Sequence, residues 1–314
     1  MTARKAIPIL SADDLASLDI ATEDVVDMIA KLIRGRAEGA VWSAPKASLP
    51  VPDGRYIMAT VAAADDPPFL AVKSLLLNPR NPGHGQPLMN SIITLQDSET
   101  GLPVAVLDGN WVTAVRTAAL SALAARYMAR ADSQSIAFIG SGVQAQSHLK
   151  AFSDLYPLKS VRIFGRGRAN IDALCARAGQ LGLQCHVAET PQDAISAADI
   201  IVSSVTREPG AEPFIEAGSI KPGAYAALTD LARPWHAAGL AGLDRIIIDD
   251  RAQEAQMKDP MVADDVVAGD LAELVLGTVP GRANDGDRNA FIFRGYALGD
   301  FALAALAYQR ARPA

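Results

Sequence analysis

Apolar and polar positions change their rhythm about a third of the way along the chain. Residues 11–39 carry apolar side chains at helical spacing, with Leu15, Ile20 and the run from Val25 to Ile33 on one face and Ser11 as an N-cap; this predicts a helix. Residues 45–76 then read as short strands broken by turns at Pro50, Pro52, Asp53 and Gly54 and at Asp65, Asp66, Pro67 and Pro68. Strands over 56–61, 70–76, 91–96 and 103–108 form a meander, with a Pro-, Gly- and Asn-rich loop at 78–86 placed to act as a flap and a hairpin turn at 97–101. A long alanine-rich helix over 113–131 connects this domain to a second one. Beyond it, short apolar runs near 136–140, 161–164, 184–188, 199–204, 223–228 and 245–249 alternate with helical stretches. Strand–helix alternation of this kind predicts an α/β domain with a doubly wound parallel sheet. A last helix over 298–309 follows.

The first apolar run of the second domain leads into chemistry. Residues 136–139 are followed by Gly140-Ser-Gly142-Val-Gln-Ala145 and then by an amphipathic stretch to 155. Strand, tight glycine turn and helix in this order form a dinucleotide fingerprint. Gly140 allows the turn, and Gly142 lets the backbone approach a pyrophosphate. The first helical turn, Val143, Gln144 and Ala145, offers free N–H groups, and the small Ala145 lets helix and strand pack closely. The second strand of such a fold commonly ends in a carboxylate that holds the ribose hydroxyls of NAD. Here it ends in Gly165-Arg166-Gly167-Arg168. A guanidinium is the better partner of a 2′-phosphate, so the reading is NADP(H), with NAD(H) as the alternative and Arg166 ahead of Arg168. Ser203, and Ser204 beside it, end the fourth strand and are candidates for the nicotinamide pocket.

Composition narrows the class. The chain has 314 residues, half of them apolar, and a net charge of −6; two domains fit that length, and nothing points to nucleic acid or a membrane surface. No apolar run reaches 18 residues, and residues 1–5 lack the apolar core of a secretion signal, so a cytoplasmic location is expected. Cys175 and Cys185 are the only cysteines and form no CxxC pattern; as cytosolic residues they are expected to stay reduced. His84, His148, His186 and His236 have no metal-ligand spacing, so no metal is expected. Lys73 lies within an otherwise apolar strand, where an unpaired ammonium would be costly.

Together these motifs resemble the ornithine cyclodeaminase/mu-crystallin family. The residues that carry the resemblance are Gly101-Leu-Pro-Val-Ala-Val-Leu-Asp-Gly109, Val112-Thr-Ala-Val-Arg-Thr-Ala-Ala119, Ile139-Gly-Ser-Gly-Val-Gln-Ala145 and the closing Gly295-Tyr-Ala-Leu-Gly-Asp300. The resemblance implies a Rossmann domain over 116–290 and a second, α+β, substrate-binding and dimerisation domain made from both chain ends, 1–115 and 291–314. It also implies a homodimer. The common chemistry is hydride transfer between a nicotinamide and the carbon that bears an amino or imino group next to a carboxylate.

By the same resemblance, Arg116 is the clamp for the substrate carboxylate. Lys73 is the active-site lysine that touches the carboxylate and relays a proton. Lys46 stands where the family more often has arginine; it keeps the charge and loses the bidentate fork. Asp230, after the fifth strand, matches the region of the cyclodeaminase acid/base, although the following Leu-Ala-Arg-Pro-Trp235 departs from the family's glycine-rich turn. The expected activity is NAD(P)H-dependent reduction of a small imino acid, of the ketimine or Δ1-pyrroline-2-carboxylate type. The alternatives are an ornithine cyclodeaminase that recycles NAD and releases ammonia, an alanine-type amino-acid dehydrogenase, and a non-catalytic crystallin-like protein that binds NADPH and a small ligand.

Overall fold

The computed structural model describes residues 6–206 and 210–311. The reading of a missing secretion signal rests on residues 1–5 and lies outside them, as does the chain end at 312–314. Two compact units are present, Met1–Arg116 with Ala297–Ala314, and Thr117–Tyr296.

The first unit runs through β1 (Ile9–Leu10), α1 (Ala12–Ser17), α2 (Thr22–Ala37), β2 (Val41–Ser43), β3 (Ala47–Pro50), β4 (Tyr56–Asp65), β5 (Pro68–Leu77), β6 (Met89–Asp97), β7 (Pro103–Asp108) and the start of α3 (Gly109–Met128). Its sheet has the order β1-β7-β6-β5-β4-β2, and β3 pairs with β4 as well. β4 and β5 pair along their whole length, from Tyr56 opposite Leu77 to Asp65 opposite Pro68. Alternation on β5 buries Phe69, Ala71, Lys73 and Leu75. That face is covered by the C-terminal helix Ala297–Ala311, which packs on β4, β5 and α2. The opposite face leaves Ile57, Val61, Leu76 and Ile92 exposed.

The stretch expected as one helix over 11–39 is two. Ser11 and Asp14 form a reciprocal capping box for α1, and Asp19, at φ +44°, breaks the chain before α2 starts. The apolar periodicity continues across the break, and periodicity alone does not show a single left-handed residue.

The second unit continues with β8 (Ser135–Ile139), α4 (Val143–Leu155), β9 (Ser160–Phe164), α5 (Arg168–Gln180), β10 (Gln184–Val187), β11 (Ile200–Ser203), β12 (Tyr225–Leu228), β13 (Arg245–Ile248), β14 (Val267–Asp270) and β15 (Asn289–Ile292). The sheet is parallel throughout, in the order β10-β9-β8-β11-β12-β15-β13-β14. This is the expected α/β architecture. β11, β12 and β15 are buried at every position, as strands covered on both faces must be. Two of its strands, β14 and β15, were not expected from the sequence. β15 inserts between β12 and β13, so the second unit extends to Tyr296, and a boundary at 290/291 cuts through a central strand.

The cysteines require a correction. Cys175 and Cys185 are joined in a disulfide instead of remaining free thiols, with Cα atoms 5.5 Å apart. The reason is topological: α5 turns back directly into β10, and residues ten apart in sequence come within bridging distance.

Candidate functional site

In the first unit the fold gathers buried charge. Lys73 projects from the covered face of β5, Arg116 from α3, and Asp300 from the first turn of the C-terminal helix. Lys73 Nζ lies 2.7 Å from Asp300 Oδ2, and Arg116 Nε lies 2.8 Å from Asp300 Oδ1. Thr60, opposite Lys73 in the strand register, donates its hydroxyl to Asp300 Oδ2 at 3.2 Å. Lys73 Nζ also reaches Thr113 Oγ1 at 3.5 Å. All three charged side chains are at least nine-tenths buried. The Arg116–Asp300 contact is an ion pair by distance, but its N–H is not aligned for a hydrogen bond, and Arg116 Nη1 has no hydrogen-bond partner at all.

Burial dominates the titration of Lys73. Removal from water pulls its ammonium down to about 8, against the pull of Asp300 in the other direction, while Arg116 adds to the lowering. Asp300 resists its own burial: Arg116 and Lys73, with a contribution from Lys46, hold its carboxyl below the ordinary value. Lys46, half-buried between β2 and β3, thus acts on the same carboxylate. Lys46, Lys73 and Arg116 are therefore brought together, and the residue that joins them, Asp300, was missed as a site residue. Its signal was of the kind that marked Lys73, a charge inside an apolar run, here the helix Phe301-Ala-Leu-Ala-Ala305.

In the second unit the glycine turn opens a groove of about 590 Å³, lined by Gly140, Gly142, Arg166, Ser204, Glu212 and Phe214 among others. Gly140 sits at φ +97°, and a Cβ there would lie 2.7 Å from the Ser204 carbonyl oxygen. Gly142 is the N-cap of α4 and has no side-chain cap; a Cβ on it would meet nothing within 4 Å. The turn thus offers an open cradle at an uncapped helix N-terminus, which suits a pyrophosphate. Ala145 is fully buried under it and Val143 is exposed, while Gln144 Oε1 is buried without a partner. Arg166 lines the groove and donates to the Thr206 carbonyl at 3.1 Å. Arg168 is absent from that lining; it is largely exposed on α5 and pairs with Asp172 one turn on, at 2.9 Å.

Ser203 is also placed differently from its neighbour. Ser204 lines the groove, whereas Ser203 is fully buried, donates to Asp230 Oδ2 at 2.5 Å and accepts from Trp235 Nε1 at 3.1 Å. Val205 N–H donates to the same oxygen at 3.0 Å, and Asp230 Oδ1 is buried without a partner. Burial raises the Asp230 carboxyl to about 6 despite these donors. His148 is structural. It is fully buried, Nδ1 bonds the Gln144 carbonyl at 2.7 Å, and burial lowers it to about 4. As the neutral Nδ1–H tautomer, it accepts at Nε2 from Ser121, 2.9 Å away. Among the described residues no His, Cys, Asp or Glu group of three or more converges as a metal site, and no helix is long and apolar enough to cross a membrane.

The model of the ornithine cyclodeaminase/mu-crystallin family matches residues 9–314. The chain belongs to this family. Its relatives include the rat ketimine reductase mu-crystallin, 28% identical over 316 residues and covering 97% of each chain. Among solved structures, the Δ1-pyrroline-2-carboxylate reductase of Thermococcus litoralis, in complex with NADH and L-proline, superposes with a TM-score of 0.88 at 26% identity and 97% coverage of both chains. An archaeal alanine dehydrogenase dimer with bound NAD has a TM-score of 0.86 at 23% identity, covering 97% of this chain and 96% of its own, and shows the shared fold. A reductase and a dehydrogenase thus share this architecture.

Proposed function

We propose that the protein is an NADP(H)-preferring oxidoreductase that reduces a small imino acid, of the ketimine or Δ1-pyrroline-2-carboxylate type. The observation that carries this reading is Arg116 Nη1, a buried guanidinium nitrogen with no partner inside an ion cluster. A buried unpaired donor of this charge is expensive and calls for an anion. The substrate carboxylate is that anion, held by Arg116 and Lys73, with Lys46 completing the positive side. Gly140, Gly142 and the first turn of α4, Val143, Gln144 and Ala145, hold the pyrophosphate, and Arg166 takes the 2′-phosphate. Arg168, paired with Asp172, has at most an auxiliary part.

A dinucleotide held by these residues would supply a hydride to the substrate's C=N carbon, whose nitrogen would take one proton to give the amino acid. Lys73 carries a proton at neutral pH, because its ammonium titrates near 8, and it is positioned at the carboxylate end to relay one.

One observation favours a second reading. Asp230, raised to about 6 with one oxygen unpartnered, is poised as an acid/base, which an ornithine cyclodeaminase needs for amine attack and ammonia loss. Ser203 serves that carboxylate as a brace instead of forming the nicotinamide pocket. NADPH and NADH oxidation should be screened with pyrroline-2-carboxylate, piperideine-2-carboxylate and pyruvate plus ammonia, beside ornithine with an ammonia assay. Imine-dependent NADPH oxidation that Arg116→Ala abolishes supports the reductase. Ammonia release from ornithine, lost in Asp230→Asn, replaces it with the cyclodeaminase.

We also infer a homodimer formed through the first unit, supported by its exposed apolar sheet face of Ile57, Val61, Leu76 and Ile92. A cytoplasmic location accords with nicotinamide chemistry on metabolites, and subcellular fractionation with immunodetection tests it.

A further inference from the structure

The stretch Asp230-Leu-Ala-Arg-Pro-Trp235, which departs from the family's glycine-rich turn, has an unusual backbone. Leu231 and Ala232 lie at φ +60° and +56°, two successive non-glycine residues in the left-handed region. Such backbone is strained and persists only where its surroundings hold it. Here the end of the stretch holds it. Trp235 N–H donates to the Ala232 carbonyl at 3.0 Å, and its side chain is buried. Its Nε1 returns to Ser203, at the end of β11. The turn thus carries an indole N–H back to the residue that touches Asp230.

Hydrogen-bond chemistry gives this chain one direction. Indole Nε1 can only donate, so Ser203 Oγ accepts from it at 3.1 Å. The single hydroxyl hydrogen of Ser203 is then directed to Asp230 Oδ2, 2.5 Å away. Val205 N–H, also a donor only, reaches the same oxygen at 3.0 Å. Oδ2 therefore receives two donors and has no place for a proton of its own. The backbone N–H groups of Asp230 and Ala232 add a smaller pull on the carboxylate, yet Oδ1 is buried without a hydrogen-bond partner. The charged side chains of the same turn face elsewhere: Arg233 pairs with Asp259 at 2.5 Å, and His236 Nε2 lies 3.4 Å from Glu216.

We propose that Trp235 is a positioning residue for Asp230: acting through Ser203, it confines the carboxyl proton to Oδ1 and leaves that oxygen as the one that gives and takes a proton. The inference rests on the reading of Asp230 as an acid/base. A carboxyl whose proton sits at one fixed oxygen is oriented for transfer in advance. Without the indole N–H, the Ser203 hydroxyl is free to turn and accept from a proton on Oδ2. The proton then spreads over both oxygens, and the neutral acid gains.

The carboxyl is followed by 13C NMR of the full-length protein carrying 13Cγ-labelled aspartate, with its resonance assigned by Asp230→Asn. In the unmodified protein its midpoint is expected at about 6. Ser203→Ala removes a donor to the ionised form and is expected to raise the midpoint by about one pH unit. Trp235→Phe keeps an aromatic ring and removes the N–H; it is expected to raise the midpoint by at least about half a unit. Because Trp235 acts through Ser203, Trp235→Phe in the Ser203→Ala background is expected to add no further shift. A role in packing alone lowers the melting temperature without this dependence on Ser203. An unchanged midpoint in Trp235→Phe, or shifts that add in full, overturns the proposal and leaves the acid/base reading of Asp230 standing.

If Trp235→Phe does not fold, the unmodified protein carries the test. Its indole N–H resonances are recorded on 15N-labelled protein, and Trp235 is assigned by Trp42→Phe and Trp111→Phe. The Trp235 resonance is expected to move with the midpoint of Asp230 and to stay flat in Asp230→Asn. A flat resonance in the unmodified protein, while Asp230 titrates, refutes the proposal. Asp230→Asn with unmodified rates of both ammonia release from ornithine and NADPH oxidation by pyrroline-2-carboxylate overturns the acid/base reading, and the proposal with it.

Discussion

Gly140 and Gly142 lie two residues apart in one turn, yet substitution by alanine is expected to act through different physics. Gly140 has φ +97°, and an alanine there carries a strain of about 1–3 kcal/mol from the backbone conformation alone. Its Cβ would also lie 2.7 Å from the Ser204 carbonyl oxygen and 3.1 Å from the carbonyl carbon, both backbone atoms that cannot swing aside. The second unit should therefore melt on the order of 5–10 °C lower, at 2–4 °C per kcal/mol for a body of this size. Gly142 is different: its Cβ would meet nothing within 4 Å and its φ is −81°, so Gly142→Ala should cost less than about 1 kcal/mol, the N-cap preference. That empty space is the proposed pyrophosphate site. Filling it should break charge-assisted hydrogen bonds worth about 1.5–3 kcal/mol each, raising the Kd for NADPH by roughly 10- to 150-fold. The assays are differential scanning calorimetry without ligand and fluorescence titration with NADPH. Gly142→Ala that binds NADPH as tightly as the unmodified protein, at unchanged melting temperature, would refute the placement of the pyrophosphate at this turn.

Arg166→Ala should weaken NADPH by about 10- to 150-fold while changing NADH little, since only the former carries the 2′-phosphate; tighter binding of NADH by the unmodified protein would remove the basis for this. Lys73 is depressed to about 8 in the folded protein, so kcat/KM should fall as pH rises through 8. The same shift makes the unfolded state bind more protons between about pH 8 and 10.5, so this group's contribution to stability should rise with pH across that window, which urea melts at pH 7.5 and 10 will show. Asp230 has the opposite sign: raised to about 6, it is protonated in the fold and ionised in the unfolded chain between pH 4 and 6, and stability from it declines as pH rises through 6. Asp230→Asn should flatten that decline. The protein should be a dimer at micromolar concentration in light scattering, and Val61→Asp, which puts a charge on the exposed sheet face, should yield monomers with an unchanged far-ultraviolet spectrum.

Much of this protein was written in local pattern. The alternation of β4 to β7 and the buried runs of β8, β9, β11, β12 and β13 are short-range features, because a strand's two faces are set by neighbours one and two residues away. The glycine turn was legible for the same reason: strand, turn and helix are consecutive, and Gly140 and Gly142 act on atoms within a few residues or one adjacent strand. Lys73 stood out as a charge in an apolar strand, and the family resemblance singled out Arg116 and Lys46. So the sequence by itself determined the class of each domain, the dinucleotide turn and the cations of the cluster.

Only the tertiary structure decided what those cations share. Asp300 lies more than 180 residues from Arg116 and more than 220 from Lys73, and no local pattern links them; folding the C-terminal helix onto β4 and β5 does. β15 went unrecognised because a four-residue buried strand, Asn-Ala-Phe-Ile, has no periodicity of its own and is defined by β12 and β13 on either side. The same holds for Arg166 and Arg168, two residues apart on either side of the start of α5, and for Ser203 and Ser204, which the end of β11 turns to opposite tasks. In each case the deciding quantity is burial or partner choice, and both depend on what the chain brings back from a distance.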